Sequence, residues 1–395
     1  MSLAGVMTGL LCAVMLFQHV SCTELNVNRP RSCGAGGSPC CKGPRQEQSI
    51  GARTFRVTEN CNDTTVGNTT VQSLTSKYTT VLIPSLYLIV FISGLPANIL
   101  ALWILVRKTK RMPSTTFLVS LTVADILLIL MLPFKIIYHF SGNNWIFGEL
   151  MCRLVTASFY GNMYASVLCL TCISIDRYIA LVHPFASKVF RSQKMAGYVC
   201  LVLWVAVIGS VIPFCIITQT YSITNMKITT CHDALSNNGK VFLLPYFISI
   251  FVVGFVLPLC IMLFCYGSVL QTLIRNQKKY VFAAKVTALV LVVFVVCFAP
   301  SNIILILHYS DKSEHENSDY LYYIYMLSLA VSSFNSCLDP FIYYYISEEF
   351  RSRVRSAFKC SKKSYKVTDQ ATSSSQLKSK GTIVSSLDTC KRFPA

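Results

Sequence analysis

Charged residues are scarce in this sequence. Asp, Glu, Lys and Arg make up 13% of its 395 residues, and hydrophobic residues make up 53%. Soluble domains carry about 25% charged residues, so this balance favours a chain that faces lipid. The sequence also lacks an internal repeat, a nucleophile motif and metal-ligand spacing. These absences leave a transporter built from repeats and an enzyme without support.

Seven apolar stretches are each long enough to cross a bilayer, which takes roughly 20 residues for ~30 Å of hydrocarbon. They begin near Thr79, Thr115, Gly148, Lys194, Val241, Val281 and Tyr320. The seventh, residues 320–346, is the weakest because several polar residues interrupt it. The pattern predicts an all-α membrane protein, a seven-transmembrane helix bundle over residues 79–346 with its two termini on opposite sides.

Acidic residues are few, with 17 Asp and Glu against 35 Lys and Arg. The basic residues cluster in every second connection: Arg107, Lys108, Lys110, Arg111, Lys188, Arg191, Arg275, Lys278 and Lys279. The tail, residues 347–395, holds eleven Lys and Arg against four Asp and Glu. Because cytoplasmic loops carry the excess of Lys and Arg, the N-terminus is expected outside and the tail in the cytoplasm. Because the basic residues lie in this pattern, the net charge of +18 does not indicate binding to nucleic acid.

The residues before the first stretch fit an exterior head. Residues 1–22 contain a short apolar run followed by small residues, which resembles a secretory signal peptide, although positive residues do not precede the run. Residues 23–78 then form the head. Two glycosylation sequons begin at Asn62 and Asn68.

Six cysteines are expected on the oxidising exterior, an even number that favours disulfides over a metal cluster, since no His accompanies them. They are Cys33, Cys40, Cys41, Cys61, Cys152 and Cys231. A bridge from Cys152, at the start of the third stretch, to Cys231, in the loop before the fifth, would pin that loop across the bundle. Two unrelated free thiols are the alternative.

Ionisable residues at membrane depth are costly and usually functional. Asp125 lies within the second stretch and Asp339 within the seventh, while Asp176-Arg177-Tyr178 ends the third. Asn98 lies in the first stretch. Polar contacts between helices are the alternative role for these residues, and for Asn98 the two roles weigh equally.

Motifs in these positions resemble the rhodopsin family of G-protein-coupled receptors over residues 79–359. Asp176-Arg177-Tyr178, Asp339-Pro-x-x-Tyr343, the Cys152 and Cys231 pair and three further residues match, each in the expected stretch: Trp204, Pro258 and Tyr266. Two positions depart from the commonest pattern, Asp339 in place of Asn and Phe298 in place of Trp. Both variants occur in the peptide- and protease-activated branch.

Within that branch the chain resembles the proteinase-activated receptors. The resemblance rests on the seven residues from Asn143 to Glu149, on Phe159-Tyr160-Gly161-Asn162, on Thr230-Cys231-His232-Asp233 and on Phe298-Ala-Pro-Ser-Asn302. In these receptors a trypsin-like serine protease cuts the head, and the new N-terminus acts as a tethered agonist. A receptor for a diffusible peptide is the alternative, and a transporter a remote one.

Two sites for such a cut stand out in the head. Arg45–Gln46 follows a Pro-Arg pair favoured by thrombin, but an N-terminal Gln readily cyclises and loses its ammonium group. A cut at Arg53–Thr54 releases Thr54-Phe55-Arg56-Val57, with a cation and an aromatic second residue, which resembles a known tethered ligand. We favour Arg53–Thr54. Treated as a flexible coil, the 25 residues from Thr54 to Tyr78 span about 27 Å on average and at most ~80 Å.

The resemblance also implies roles for individual residues. The ligand pocket would contain Tyr160, Asp233, His308, Tyr309, Tyr322 and Tyr325. A sodium pocket would be lined by Asp125, Ser166, Asn335 and Asp339. The G-protein switch would consist of Asp176, Arg177, Tyr178, Tyr266 and Tyr343. Sodium apart, we expect no cofactor.

The tail has a regulatory character. Residues 348–359 predict a short cytoplasmic amphipathic helix on the membrane, followed by Cys360 as a palmitoylation site. The expected partners are the protease, heterotrimeric G proteins acting through phospholipase C and calcium, arrestin, receptor kinases and membrane lipid. The expected location is the plasma membrane.

Overall fold

Long apolar helices dominate the structure, a computed structural model that describes residues 48–51, 56–59, 64–107, 109, 112–183, 192–233, 248–275, 281–310, 318–346 and 350–352. The helices of the bundle are α2 (Ile83–Arg107), α3 (Pro113–Phe140), α4 (Gly148–Val182), α5 (Gln193–Ile216), α6 (Leu257–Arg275), α7 (Val281–Ser310), α8 (Ser318–Ser333) and α9 (Asn335–Ile346). A helix pairs all its interior backbone groups within itself, which is why it suits a solvent that offers no hydrogen bonds.

The helices agree with the predicted stretches, and the predicted helical-bundle fold class is confirmed. Among the described residues, five helical segments are long and apolar enough to cross a membrane: 70–107, 113–140, 148–182, 193–216 and 248–272. The sixth stretch contains a shorter apolar segment, Leu289–Ile304. The seventh is divided into α8 and α9 at Phe334, in the region that its polar residues had marked as weakest. The predicted start of the fifth stretch, Val241, lies outside the described residues.

Helix α4 packs against α3, α5 and α6, and α3 packs against α2, α4, α5 and α9. Helix α2 packs against α3, α8 and α9, and α7 packs against α6, α8 and α9. The buried aromatic residues Tyr87, Phe294 and Tyr343 fill the space between these helices. Residues of the opposite faces, such as Trp103, Val202 and Phe264, are exposed in the structure, as expected of side chains that contact lipid.

Two small antiparallel sheets add strands to a fold that the sequence predicted to be all helical. In the head, β1 (Gln48–Gly51) pairs with β2 (Arg56–Glu59), and β2 pairs with β3 (Thr64–Val66). In the loop after α5, β4 (Thr220–Ile223) pairs with β5 (Ile228–Cys231) as a hairpin. Both sheets are short, and β3 lies against β4.

The head also departs from the flexible coil that we expected up to Tyr78. Helix α1 (Asn68–Thr75) leads through a π-helical turn, Tyr78–Leu82, into α2. The buried hydroxyl of Thr79 donates to the carbonyls of Ser73 and Ser76, both at 3.0 Å, and so satisfies carbonyls at the end of α1. Helical structure therefore begins about ten residues before the predicted first stretch. The treatment of residues 54–78 as one flexible coil is wrong for their second half.

A second π-helical turn, Val252–Val256, directly precedes α6 and brings Gly254 against Tyr164 of α4. A Cβ atom at Gly254 would lie 3.0 Å from Cδ1 and Cε1 of the buried Tyr164 ring. A buried aromatic ring in a close-packed interior cannot move aside without displacing its neighbours.

We predict that Gly254→Ala lowers the stability of the receptor by about 1–3 kcal/mol through overpacking. Thermal unfolding in detergent measures the change. Gly209→Ala is the matched control, since no described atom beyond its own helix backbone lies within 4 Å of its Cβ position, and it should unfold at the parent temperature or slightly above it. Equal unfolding temperatures for the two variants would contradict the contact.

Candidate functional site

A disulfide fixes the loop hairpin to the bundle. Cys152, near the start of α4, is bonded to Cys231 at the end of β5, with their Cα atoms 5.7 Å apart. Both cysteines are completely buried. The predicted bridge is confirmed, and it places β4 and β5 across what we call the disulfide end of the bundle.

The carboxylate of Glu149 holds the other strand of the hairpin. Its Oε1 accepts from the Gln219 backbone N–H at 2.9 Å, and its Oε2 accepts from the Thr220 N–H at 2.8 Å and the Thr220 hydroxyl at 2.6 Å. Arg153, one turn further along α4, donates to Oε1 at 2.6 Å and to the Cys215 carbonyl at 2.8 Å. The first turn of α4 therefore fixes the start of β4 as the disulfide fixes the end of β5.

Next to the hairpin, four polar side chains form one connected group: Tyr160, Tyr325, His232 and Gln219. The hydroxyls of Tyr160 and Tyr325 are 2.6 Å apart, and His232 Nε2 lies 3.2 Å from the Tyr160 hydroxyl. His232 Nδ1 contacts Gln219 Oε1 at 2.5 Å, and Phe214 stacks on the Tyr160 ring with centroids 4.5 Å apart. The structure thus brings together Tyr160 and Tyr325, two members of the predicted ligand pocket, from α4 and α8.

Asp233 follows His232 and is almost completely buried. The Tyr138 hydroxyl of α3 donates to its carboxylate. Lys135, also buried, lies with its Nζ 5.5 Å from the centre of the Tyr138 ring and interacts electrostatically with Asp233. The carboxylate that we expected to face the ligand is therefore held by α3 in this structure.

The remaining members of the predicted pocket cannot be assigned contacts. His308, Tyr309 and Tyr322 belong to α7 and α8, and their side chains lie outside the described part of the chain.

A second polar group lies in the middle of the bundle, where Asp125 of α3 faces Asp339 of α9. Asp125 Oδ1 accepts from Asn162 Nδ2 at 2.9 Å and from the Ser336 hydroxyl at 2.8 Å. Asp339 Oδ2 accepts from Asn335 Nδ2 at 2.8 Å. The two carboxyl groups interact electrostatically, and all of these residues are buried.

Three oxygen atoms of this group receive no hydrogen bond from donors of the described residues: Asp125 Oδ2, Asp339 Oδ1 and Asn335 Oδ1. Ser166, the fourth predicted residue, is completely buried, and its hydroxyl lies 3.5 Å from Asn162 Nδ2. Oxygen atoms without donors beside two carboxyl groups are the ligand set that a hard cation requires, so the residues fit a sodium ion.

Asn98 joins the middle of the bundle to α2. Its Nδ2 donates to the Gly94 carbonyl at 3.0 Å and to the Ser336 carbonyl at 2.6 Å. This contact is the polar link between helices that we weighed as one of two roles for Asn98.

The opposite end of the bundle carries the predicted switch residues. Asp176 is buried and accepts a hydrogen bond from the Ser114 hydroxyl of α3. The Tyr178 hydroxyl lies 3.0 Å from His183 Nε2. Tyr266 of α6 interacts electrostatically with Arg177, and the buried Tyr343 lies 3.5 Å from the Thr122 hydroxyl. The five predicted residues thus come from α4, α6 and α9.

Several predicted head and tail positions lie outside the described residues. These are Arg45, Gln46, Arg53, Thr54, Phe55, Asn62, Cys360 and the head cysteines Cys33, Cys40, Cys41 and Cys61. Arg56 and Val57 belong to β2, and Asn68 is exposed at the start of α1. Of the predicted amphipathic helix, residues 350–352 are described as helical, and Phe350 packs on the Tyr343 ring with centroids 6.4 Å apart.

Sequence reasoning missed several residues of these sites, among them Glu149, Asn162, Ser336 and Ser114. Glu149 and Asn162 lay within motifs that carried the family resemblance, which was a usable signal. Ser114 and Ser336 are small hydroxyl residues in helices, and their partners lie 62 and 211 residues away in sequence.

Comparison with known proteins identifies the family. Residues 97–343 match the 7 transmembrane receptor (rhodopsin family). Proteinase-activated receptor 3 of Homo sapiens is 44% identical over 292 residues, which cover 73% of this chain and 78% of the relative. The chain belongs to the proteinase-activated receptors.

Other members of the family show similar agreement. Proteinase-activated receptor 4 of Rattus norvegicus is 44% identical over 77% of this chain and 76% of its own length, and proteinase-activated receptor 1 of Mus musculus is 40% identical over 80% and 74%. The protein is therefore a multi-pass membrane receptor of the rhodopsin family and not an enzyme.

We predict that Glu149→Gln loosens β4 while the disulfide remains intact. Charge-assisted hydrogen bonds contribute about 1.5–3 kcal/mol each, so amide hydrogen exchange at Gln219 and Thr220 should accelerate at least tenfold. The Thr229 amide, which donates to Asn144 Oδ1 at 3.0 Å, is the internal control and should keep its rate. Equal acceleration at Thr229 would mean that the whole hairpin had unfolded, and the local role of Glu149 would be wrong.

Proposed function

We propose that this receptor is activated when a trypsin-like or thrombin-like protease cuts Arg53–Thr54, and that the new N-terminus, Thr54-Phe55-Arg56-Val57, acts as a tethered agonist. One observation carries the choice of this bond: residues 52–55 connect the paired strands β1 and β2. Connections between structured elements are the preferred sites of proteolytic cutting.

The pairing also distinguishes the two candidate cuts. In the uncut chain Arg56 pairs with Gly51 and Val57 with Ile50, so part of the agonist is held as a strand. A cut at Arg53–Thr54 separates β2 from the covalent continuation of β1 and leaves it paired with β1 and β3. Strands of three or four residues held only by backbone pairing are marginally stable, so β2 can then leave the sheet. A cut at Arg45–Gln46 would leave the hairpin, and with it the agonist, intact.

The released end would enter the bundle at the disulfide end. Tyr160 and Tyr325 offer aromatic and hydroxyl contacts to Phe55, and the family resemblance assigns the same role to His308, Tyr309 and Tyr322. The ammonium group and Arg56 are cationic, and the Asp233 carboxylate is the complementary group of the loop. Since Tyr138 and Lys135 hold Asp233 in this structure, agonist binding exchanges one set of partners for another.

Signalling then follows from differential affinity, because an agonist shifts the equilibrium only if it binds the active arrangement better. Arg177 is released when the sixth spanning helix moves outward, and Tyr266 and Tyr343 repack around it. The receptor signals from the plasma membrane, with its N-terminus outside, through heterotrimeric G proteins, phospholipase C and calcium. Arrestin, receptor kinases, membrane lipid and palmitate on Cys360 regulate it, and Asn62 and Asn68 carry glycans.

We predict that Arg53→Ala abolishes the calcium response of receptor-expressing cells to trypsin or thrombin, and that Arg45→Ala preserves it. A synthetic Thr-Phe-Arg-Val amide should activate both variants, because neither change touches the pocket. A full protease response in Arg53→Ala would overturn the proposed bond. Activation by a diffusible peptide in the absence of any response to proteases would favour the alternative receptor class.

We further propose that a sodium ion stabilises the resting receptor at Asp125, Ser166, Asn335 and Asp339. The three acceptor atoms without donors support this proposal. Two carboxylates taken out of water are costly unless a cation accompanies them. The ion supplies the missing positive charge when bound, while Asn162 and Ser336 orient the Asp125 carboxylate through its other oxygen.

Replacing sodium with choline, which is too large for the site, should raise agonist affinity in the parent receptor by about fivefold or more, the usual size of allosteric coupling. Asp125→Asn should abolish this dependence, because it removes one charge and leaves the shape. Peptide binding at constant ionic strength measures both. If the affinity for the agonist peptide does not depend on sodium in either the parent or the variant, the proposed sodium site is wrong.

A further inference from the structure

The head segment from Thr64 to Tyr78 is packed onto the disulfide end of the bundle. Val66 and Leu74 are members of the main hydrophobic core, with 6% and 0% exposure. Thr70 and Ser73 between them are buried as well. These side chains would be exposed to solvent if the segment did not pack against the bundle. The segment is therefore part of the folded receptor.

The loop hairpin holds the first end of this segment. Asn225, in the turn between β4 and β5, donates from Nδ2 to the Val66 carbonyl at 2.9 Å. Strand β3, which contains Val66, lies against β4. The hairpin is itself fixed by the disulfide and by Glu149, so Val66 is connected to α4 through a short chain of contacts.

Helix α3 holds the second end. Asn143, just beyond its C-terminus, donates from Nδ2 to the Leu74 carbonyl at 2.6 Å, and Asn143 is completely buried. Its Oδ1 contacts His139 Nδ1 at 2.6 Å, which orients the amide. Asn143 has φ of 59°, a left-handed conformation that Asn tolerates better than most residues.

We propose that residues 64–78 form a docked anchor, fixed by the side-chain amides of Asn225 and Asn143, and that the tethered agonist moves from Val66 and not from Tyr78. The inference rests on the proposed tethered-agonist function. Asn225 and Asn143 are positioning residues, since they act on the agonist through the backbone of the head.

The anchor shortens the tether by half. From Thr54 to Val66 the chain can extend at most about 40 Å, at ~3.3 Å per residue. Once β2 has separated from β1 and from β3, this stretch is a coil with an average end-to-end distance of about 19 Å, against about 27 Å for the full stretch to Tyr78. Effective concentration falls roughly as the −3/2 power of tether length. The anchor therefore raises the concentration of the agonist at the bundle by about threefold.

The test compares the tethered agonist with the same agonist in solution. Asn225→Asp keeps the size of the side chain and removes the N–H donor to Val66. All variants carry Phe55→Leu, a shorter side chain that weakens the agonist so that occupancy follows its effective concentration. After complete cleavage, verified by loss of an N-terminal epitope, G-protein activation per surface receptor is measured. The free Thr-Leu-Arg-Val amide is applied to uncut cells in parallel.

We expect Asn225→Asp to reduce the response to cleavage by about threefold and to leave the half-maximal concentration of the free peptide within twofold of the parent value. Ser222→Ala, an exposed change on β4 of the same hairpin, should alter neither response. A second variant leaves both amides intact: twelve Gly and Ser residues inserted after Glu59 restore a tether of about 25 residues and should produce the same threefold loss.

Three results would overturn the anchor. One is an unchanged response to cleavage in Asn225→Asp, and another is a parallel loss of both responses, which would indicate a merely structural role. A loss in Asn225→Asp without a loss in the insertion variant would show that tether length is not the cause. Failure of the proposed function is distinguishable, because the parent receptor would then respond to neither cleavage nor peptide.

Discussion

The attachment of the β4–β5 hairpin to the first turn of α4 is the constraint on which the disulfide end of the receptor depends. A covalent bond at Cys152 and a carboxylate at Glu149 hold its two strands, so the hairpin cannot swing about either attachment alone. His232 reaches the Tyr160 hydroxyl because β5 ends there, and Asn225 reaches the head because the turn lies above it. Loosening one strand would therefore disturb the pocket and the head together.

Polar side chains in the middle of the bundle obey a different constraint, since lipid offers them no partners. Asp125, Asp339, Asn98 and Ser336 meet one another and the backbone, and they connect α2, α3 and α9. Among the described residues this group has more acceptors than donors, and a cation bound at the proposed sodium site would shift the balance between arrangements of the helices. An ion bound there, as proposed, would lie between the pocket residues and the switch residues and would influence both.

The helices, the disulfide and the carboxylate pair were predictable because each has a local signal: apolar length, a cysteine at a fixed place, or a charge where charges are costly. The partners of these residues were not. Ser114 and Ser336 carry no signal of their own, and their contacts depend on helix packing between distant parts of the sequence. The coil prediction for the head failed for the same reason. Val66 and Leu74 lie in a polar stretch that is typical of coil, and this stretch is folded because the two side chains are buried against the bundle.

An agonist that belongs to its own receptor faces a trade-off between reach and occupancy. A long tether reaches the pocket from any direction but dilutes the agonist, and a short one concentrates it but must start from the right place. Anchoring the head at Val66 answers both requirements, because the starting point lies on the hairpin that covers the pocket. The agonist can then be weak in itself, because the short pairings of β2 with β1 and β3 that it must leave are weak as well. Short strands are therefore compatible with a short tether. The strand pairing that holds the agonist before cleavage is weak enough to dissociate, and the contacts that hold residues 64–78 on the bundle remain after cleavage.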